Sequence, residues 1–173
     1  IAIAGVTRSH HCGAVGHHVE QLAKRGMIGL FFSNTPEALA PWGGNRALFG
    51  TNPIAFAAPR EEHDPVVIDL SLSKVARGKI KVAAQKGEPI PEGWALDAEG
   101  NPTTDARAAA EGTMLPMGDA KGSALVLMVE ILAAALTGSH FGFEASSFFE
   151  AEGPSPGIGQ TLIAIAPGPL SKQ

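Results

Sequence analysis

The sequence has little of what secreted, membrane-spanning or nucleic-acid-binding proteins depend on. Cys12 is the only cysteine, so an internal disulfide is impossible and a cytoplasmic setting is expected. The longest apolar run, 124–136, contains Glu130 and is shorter than the roughly 20 residues that cross a bilayer. The 13 lysines and arginines are scattered and the net charge is -4, so neither nucleic acid nor a membrane surface is an expected partner.

Signatures of several catalytic classes are also missing. The sequence has no G-x-G-x-x-G fingerprint, no G-x-x-x-x-G-K-[ST] loop and no G-x-S-x-G turn, which argues against a Rossmann domain, phosphoryl transfer and acyl transfer. Histidines cluster at 10, 11, 17 and 18, but they form no H-x-x-x-H pair and Cys12 has no cysteine partner, so no metal site is predicted. We expect His17 and His18 at a surface or an interface and His11 turned toward a ligand.

The chain is rich in hydrophobic residues, which glycines and prolines divide into short stretches. Hydrophobic residues make up 45% of its 173 positions, enough for one substantial core, so a single domain over 1–173 is expected. The 21 glycines and 13 prolines separate short elements without a solenoid-like repeat. The chain starts with Ile1 in a strand-like stretch and ends at 167–173 with linker composition, so we expect a piece of a longer protein.

Short apolar stretches bounded by turn residues predict strands that share one sheet. These stretches are 1–4, 27–32, 54–57, 66–70 and 162–165. Helices are predicted over 17–24, closed by Gly26; from an N-cap at Ser73 to Gly87; after Asp105; and over 122–136. The last helix is apolar nearly all round and is therefore expected to be covered on both sides. The proline- and glycine-rich stretch 88–104 predicts a long irregular excursion.

The most informative stretch is 9–16, SHHCGAVG, between a predicted strand and a predicted helix. Its glycines permit close backbone approach, and the free N–H groups of a helix start attract anions, so the pattern suits a nucleotide phosphate. The alternative that the pattern leaves open is an ordinary tight turn with incidental histidines.

Lys121 and Gly122 begin the most apolar helix, where a lysine adds positive charge to an end that already attracts anions. This suits a dinucleotide pyrophosphate or ribose phosphate; the alternative is a solvated lysine paired with Asp119. Thr51 and Asn52 precede a strand and can face a bound carboxylate or carbonyl, or else only cap a turn.

The end of the strand at 66–70 carries a further polar group. Asp69, followed by Leu70 and Ser71, brings a carboxylate and a hydroxyl to a strand end, where ribose or amide groups can be held unless Asp69 only caps. Arg77 and Gly78 follow, and the guanidinium suits a substrate carboxylate, against the alternative of a surface arginine.

Seven stretches, in order and spacing, resemble the malate/L-lactate dehydrogenase family of NAD(P)-dependent oxidoreductases. They are SHHCGAVG (9–16), APWGG (40–44), GTNPIA (50–55), VARGKI (75–80), IPEGWALD (90–97), DAKG (119–122) and FGFEASSFF (141–149). A single stretch of this kind is weak evidence, whereas all of them in order are specific.

The resemblance implies an α+β fold: a non-Rossmann nicotinamide-binding domain with a mostly antiparallel mixed sheet flanked by helices. It implies that NADPH or NADH lies along one set of residues and that the substrate borders a second set. The cofactor set is His11, Cys12, Gly13, Ala14, Val15, Asp69, Leu70, Ser71, Lys121 and Gly122, and the substrate set is Thr51, Arg77 and Gly78. Cys12 stands where the resemblance implies an aromatic residue, a departure that we expect to alter stacking or packing at the cofactor without abolishing its binding.

The resemblance also implies a reaction: hydride transfer from NAD(P)H to a 2-oxo acid or to a cyclic imino acid such as Δ1-piperideine-2-carboxylate. Stretches 50–60 and 128–138 are most similar to the cyclic-imine reductases. Family members are about twice this length and homodimeric, and their catalytic histidine and its nearby arginine lie in an earlier segment, so no catalytic residue is assigned here. The alternatives are a cofactor-binding module without turnover and a purely structural unit.

Overall fold

Strands rich in Val, Ile, Phe and Ala build a five-stranded sheet in the computed structural model, which describes residues 1–150 and 152–168. The strands of the chain are β1 (Ala2–Ser9), β2 (Ile28–Ser33), β3 (Ile54–Arg60), β4 (His63–Leu70), β5 (Ala95–Leu96), β6 (Pro102–Thr103), β7 (Thr113–Met114) and β8 (Ile158–Ile165). The large sheet has the order β1-β8-β2-β3-β4, and each of these neighbours pairs antiparallel. The predicted strands do share one sheet, and the mostly antiparallel α+β architecture is confirmed.

A second, three-stranded sheet has the order β6-β5-β7. The prediction that 88–104 is wholly irregular is therefore wrong, because β5 and β6 lie within it. Strands of two residues are too short to display the period-two alternation from which a strand is predicted. The long strands also extend beyond the predicted limits, since β1 continues to Ser9 and β8 begins at Ile158.

The helices are α1 (Val15–Ala23), α2 (Arg77–Lys86), α3 (Ala106–Glu111) and α4 (Asp119–Glu130), and α4 continues into a π-helical turn, Ile131–Ala135. None of the described helices has both the length and the apolar composition to span a bilayer. Helix α3 follows Asp105, as predicted, and Asp105 is its N-cap, because its carboxylate accepts hydrogen bonds from Arg107 N and Ala108 N. Gly87 closes α2 in the left-handed conformation, as predicted.

Ser73 is not the N-cap of α2, contrary to the prediction. Helix α2 begins at Arg77, and the Ser73 hydroxyl donates to the carbonyl of Val75, 2.7 Å away. Ser73 also forms an isolated antiparallel bridge with Pro116. The segment between β4 and α2 is therefore not helical, because pairing to the chain before α4 replaces helical hydrogen bonds.

The central strands of the large sheet pack on both faces, and successive side chains of a strand point to opposite faces. The edge strands β1 and β4 are mostly exposed. Phe31 packs with α1 and with alanines of β3 in one buried cluster, whereas Phe32 belongs to a second cluster with α4, α2 and the small sheet. Helix α4 is covered on one side only: Leu125, Leu127 and Ile131 are 41%, 46% and 52% exposed. The prediction of cover on both sides is wrong for the described residues, because apolar composition indicates that a helix needs cover without specifying what supplies it.

Candidate functional site

A cavity of about 480 Å³ lies at one edge of the large sheet. In the antiparallel order, β1, β2 and β4 end at this edge while β3 and β8 begin there, so the polar residues that follow or precede these strands converge. The lining residues are His10, His11, Gly13, Ala14, Val15, Thr35, Pro36, Ala38, Thr51, Pro53, Asp69, Ser71, Ala76, Arg77, Gly78, Phe148 and Phe149. The volume is within the range of about 300–1,000 Å³ that is typical of small-molecule sites.

The loop between β1 and α1 forms one wall of the cavity. Gly13 has a φ of 79°, a conformation that other residues rarely adopt, and its N–H donates to Nδ1 of His11 at 3.1 Å. The rings of His10 and His11 lie 5.1 and 5.4 Å from the Phe148 ring. This aromatic contact closes the wall between the loop and the stretch 141–149.

Asp69 contacts both the cavity and the start of α1, so it caps a helix, while its binding of a ligand group stays a prediction. It lines the cavity, and its Oδ2 accepts a hydrogen bond of 2.8 Å from Gly16 N at the start of α1. A Cβ on Gly16 would lie 3.0 Å from this carboxylate, so the close approach depends on glycine. The protein's own carboxylate thus stands at the helix end where a phosphate was expected, and a ligand group that donates a hydrogen bond suits this position better.

Arg77 and Gly78 form the opposite wall, at the start of α2. Arg77 Nη1 donates to the carbonyl of Glu37 at 2.6 Å, which leaves other guanidinium donors for a ligand. Burial lowers the pKa of Arg77 from its ordinary value, and the Glu37 carboxylate opposes that shift, yet an arginine remains charged at neutral pH. Lys81 Nζ lies 3.6 Å from the centre of the Phe149 ring, so a second cation is held beside the same wall.

Thr51 and Asn52, which the sequence suggests as a pair facing a ligand, are separated by the fold. Thr51 lines the cavity, while Asn52 is fully buried and its amide is used inside the protein. The prediction for Asn52 is therefore wrong, because its amide is bonded to Thr35 N, to the carbonyl of Val126 and to the Glu130 carboxyl group. Thr35, which the sequence analysis missed, takes the place beside Thr51, and its Oγ1 accepts from Thr51 N at 2.9 Å.

Four of the predicted cofactor residues do not line the cavity: Cys12, Leu70, Lys121 and Gly122. Cys12 is half-buried against the α1 cluster, and burial is the main cause that raises the pKa of its thiol. Gly122 is buried, and a Cβ there would lie 1.6 Å from the carbonyl oxygen of Met117, so this glycine is required by packing.

Lys121 is exposed in the first turn of α4. The alternative in which it pairs with Asp119 is wrong, because the Asp119 carboxylate pairs with Lys74 Nζ at 2.9 Å. The chain before α4 is bonded to the segment that follows Ser71, since Met117 N donates to the carbonyl of Leu72 at 2.8 Å. The start of α4 is thereby attached to the chain that leaves the cavity wall.

His18 packs against the large sheet. It stacks on Phe31 with ring centres 5.2 Å apart, and its Nε2 lies 3.1 Å from the carbonyl oxygen of Cys12. It is therefore partly buried, whereas His17 is exposed, as predicted. Stacking on a sheet residue depends on the α1–β2 contact, which the sequence pattern alone does not reveal.

Several lining residues were not predicted as site residues. They are His10, Thr35, Pro36, Ala38, Pro53, Ala76, Phe148 and Phe149. His10, Phe148 and Phe149 belong to stretches that carry the family resemblance, so their motifs were the available signal, while Thr35 follows the end of β2 in the polar sequence Ser-Asn-Thr. Within residues 1–150 and 152–168, no three His, Cys, Asp or Glu side chains are grouped as metal ligands.

The antiparallel sheet with flanking helices and a cavity at one edge defines an α+β domain that is not a Rossmann fold. Comparison with known proteins agrees with this class. The chain belongs to the malate/L-lactate dehydrogenase family, whose pattern matches residues 1–173.

Two curated relatives illustrate the range of activities in the family. The chain is 62% identical over 171 residues to the (2R)-3-sulfolactate dehydrogenase (NADP(+)) of Chromohalobacter salexigens, covering 99% of this chain and 50% of the relative. It is 47% identical over 169 residues to a Delta(1)-pyrroline-2-carboxylate/Delta(1)-piperideine-2-carboxylate reductase of Pseudomonas putida, covering 97% and 50%. The chain thus spans about half the length of the curated relatives it matches.

Solved structures have the same fold. A dehydrogenase from Sinorhizobium meliloti superimposes with a TM-score of 0.92 at 40% identity, covering 99% of this chain and 50% of that one. The delta1-piperideine-2-carboxylate reductase of Pseudomonas syringae pvar. tomato gives a TM-score of 0.89 at 41% identity, covering 99% and 52%. The similarity therefore extends over nearly the whole of the present chain.

Proposed function

We propose that this chain binds a nicotinamide dinucleotide at the sheet-edge cavity and that its protein reduces a C=O or C=N group next to a carboxylate. The proposal rests on one observation. Residues that the family resemblance selects from four separate places in the sequence meet at one cavity. These are His11 with Gly13–Val15, Thr51, Asp69 with Ser71, and Arg77 with Gly78. NADPH is the first cofactor to test, because the sulfolactate dehydrogenase relative is named as NADP(+)-dependent.

In this proposal the cavity wall orients the cofactor. The Asp69 carboxylate accepts a hydrogen bond from a ribose hydroxyl or a carboxamide N–H, since it already accepts from Gly16 N and has lone pairs left. The backbone at Gly13, free of a side chain, allows a ring or sugar to approach closely. The bound cofactor would supply the hydride, and a histidine outside this chain would protonate the product.

Lys121 belongs to the outer part of the proposed cofactor site. The start of α4 is bonded to residues 72–74, directly after Ser71 of the cavity wall, and Lys121 projects from that helix start into solvent. A cation there suits a phosphate of the dinucleotide that extends beyond the cavity. Gly122 then serves by allowing α4 to pack on the chain at Met117.

Arg77 and Thr51 would orient the substrate. A guanidinium pairs well with the carboxylate that 2-oxo acids and cyclic imino acids share, and a threonine hydroxyl can contact the group that is reduced. The identity of 62% to a sulfolactate dehydrogenase favours the 2-oxo acid, while similarity to the cyclic-imine reductases keeps the second substrate class in the test.

The experiment measures binding and turnover separately. NADPH and NADH are titrated into the protein and followed by fluorescence, and NADPH oxidation is then assayed with 3-sulfopyruvate, pyruvate and Δ1-piperideine-2-carboxylate. Saturable NADPH binding is expected, and the substrate that is consumed identifies the class. No binding of either dinucleotide would refute the proposal.

A second candidate is a cofactor-binding module that has no turnover by itself. The chain spans about half the length of its curated relatives, which is the observation that favours this candidate. Saturable NADPH binding without oxidation of NADPH by any of the three substrates supports it.

A homodimer is proposed as the assembly of the longer protein, and light scattering tests it.

A further inference from the structure

Glu130 is a buried carboxylate that the proposed chemistry does not use. It lies at the end of α4, is 2% exposed and accepts hydrogen bonds from three separate segments. Its Oε2 accepts from Asn52 Nδ2 at 2.7 Å, and its Oε1 accepts from Gly142 N at 2.7 Å and from Asn34 Nδ2 at 3.3 Å. All of these partners are donors, so both oxygens of the Glu130 carboxyl group act as acceptors.

The two amides are each held in one orientation by their other contacts. Asn34 Oδ1 accepts from Gly159 N at 2.9 Å, and Asn52 Oδ1 accepts from Thr35 N at 3.2 Å. Turning either amide over would place an NH₂ group against a backbone N–H. The direction of the hydrogen bonds therefore runs from Thr35 N through the Asn52 amide to Glu130.

The network ends at the cavity. Thr35 N is held by Asn52, Thr35 Oγ1 accepts from Thr51 N at 2.9 Å, and both threonines line the cavity. The Thr35 carbonyl oxygen is also packed closely against two glycines, Gly50 and Gly142. A Cβ atom added to Gly50 would lie 2.1 Å from this oxygen, and one added to Gly142 would lie 3.1 Å from it. Gly142 is also a donor to Glu130, so the carboxylate and the close packing act on the same residue.

We infer that Glu130 is a positioning residue for the cavity: through Asn52, with Asn34 and Gly142 as further anchors, it sets the location of the Thr35–Thr51 pair. Which ligand binds beside the Thr35–Thr51 pair rests on the proposed function above. The positioning itself is a property of the network and can be observed without any ligand.

Glu130→Gln is the main variant, and Glu144→Gln is its matched control. A glutamine side chain has nearly the shape of glutamate but must point an NH₂ group at a donor, whereas Glu144 is exposed and its loss removes the same charge from the neighbouring loop. In ¹H–¹⁵N spectra, we expect the Thr35 and Thr51 amide signals to shift and their hydrogen exchange to accelerate in Glu130→Gln only. The NADPH Kd is expected to rise about tenfold in the same variant.

A measurement on the wild-type protein covers the case in which Glu130→Gln does not fold. The Thr35 amide shift is followed against pH together with the side-chain carboxyl signals of Glu130 and Glu144 and the ring signals of His140, the titratable groups of this region. We expect the Thr35 amide to follow Glu130 and not Glu144 or His140.

The two proposals fail in different ways. If NADPH does not bind the wild-type protein while the Thr35 and Thr51 amides respond to Glu130, the proposed function fails and the positioning role stands. If the threonine amides are indifferent to Glu130, or change only as much as every other amide of a destabilised protein, the positioning role is overturned whatever NADPH does.

Discussion

Single residues at the cavity combine an internal contact with a place in the cavity wall, and Asp69 is the clearest case. Its carboxylate satisfies a backbone N–H at the start of α1 and also faces the cavity. An asparagine would retain an oxygen acceptor for Gly16 N while losing the charge, so substitution can separate the two contributions.

We predict that Asp69→Asn weakens NADPH binding by about tenfold, because a charge-assisted hydrogen bond becomes a neutral one, while the unfolding free energy changes by less than about 0.5 kcal/mol. Fluorescence titration and chemical denaturation measure the two effects. Asp64→Asn, an exposed change on the same strand, is the control. Equal dissociation constants for the two variants would contradict the assigned contact.

Gly78 is tested by adding atoms, because the structure has room for a methyl group at this position. It lies in the first turn of α2, and a Cβ would meet no atom within 4 Å, yet the residue lines the cavity. We predict that Gly78→Ala raises stability by about 0.5 kcal/mol, since alanine loses less entropy in a helix, and raises the NADPH or substrate Kd severalfold. Lys79→Ala on the same helix controls for helix propensity; unchanged binding in Gly78→Ala would remove Gly78 from the site.

At the scale of elements, the start of α4 shows how one helix end joins packing and a proposed ligand contact. The chain at 115–117 pairs with 72–74, and Gly122 lets the helix pass close to Met117. Lys121, the neighbour of Gly122, is exposed. Adjacent positions of one motif therefore have different physical roles, although the sequence presented them as a pair.

We predict that Gly122→Ala lowers the unfolding free energy by about 2 kcal/mol or more, because the added methyl group overlaps the Met117 carbonyl. Lys121→Ala should change the unfolding free energy by less than about 0.5 kcal/mol, as expected of an exposed residue. It should also weaken NADPH binding, and the loss relative to the wild type should be larger at low salt than at high salt. Thermal unfolding and titrations at two salt concentrations measure both. A Lys121→Ala protein that binds NADPH as tightly as the wild type at low salt would exclude Lys121 from the cofactor site.

At the scale of the whole molecule, Glu130 joins the end of β2 and the start of β3 to α4 and to the loop at Gly142. Burial is the main cause that raises the pKa of Glu130, the nearby Glu144 carboxylate adds to it, and the hydrogen bonds from Asn52, Gly142 and Asn34 oppose it. Between the ordinary value and the raised one, the folded protein holds more protons than the unfolded chain. Stability from this group is therefore full below the ordinary carboxyl pKa and is lost as pH rises through the raised pKa.

We predict that the unfolding free energy of the wild-type protein minus that of Glu130→Gln decreases as pH rises through that window. All other titrating groups, including Glu144 and His140, are present in both proteins, so the difference isolates Glu130. Urea unfolding at a series of pH values measures it. A difference that grows with pH would mean that the hydrogen bonds outweigh burial and that the folded pKa is lowered.

Much of the fold was predictable because local patterns carry it. Apolar stretches bounded by turn residues located the strands of the large sheet, and Asp105 and Gly87 marked helix ends through bonds made within a few residues. The small sheet and the true start of α2 were not predictable, because their two-residue strands and the Ser73–Pro116 bridge depend on partners distant in sequence.

The sequence by itself determined the apolar periodicity, the cap residues and the order of motifs by which the family can be identified, since these are properties of neighbouring residues. Only the tertiary structure decided that Thr51 faces the cavity while Asn52 turns inward, that Thr35 and Phe148 complete the wall, and that Lys121 stands outside it. The reason is that an edge of an antiparallel sheet gathers residues from distant parts of the chain, and their directions follow from register and packing.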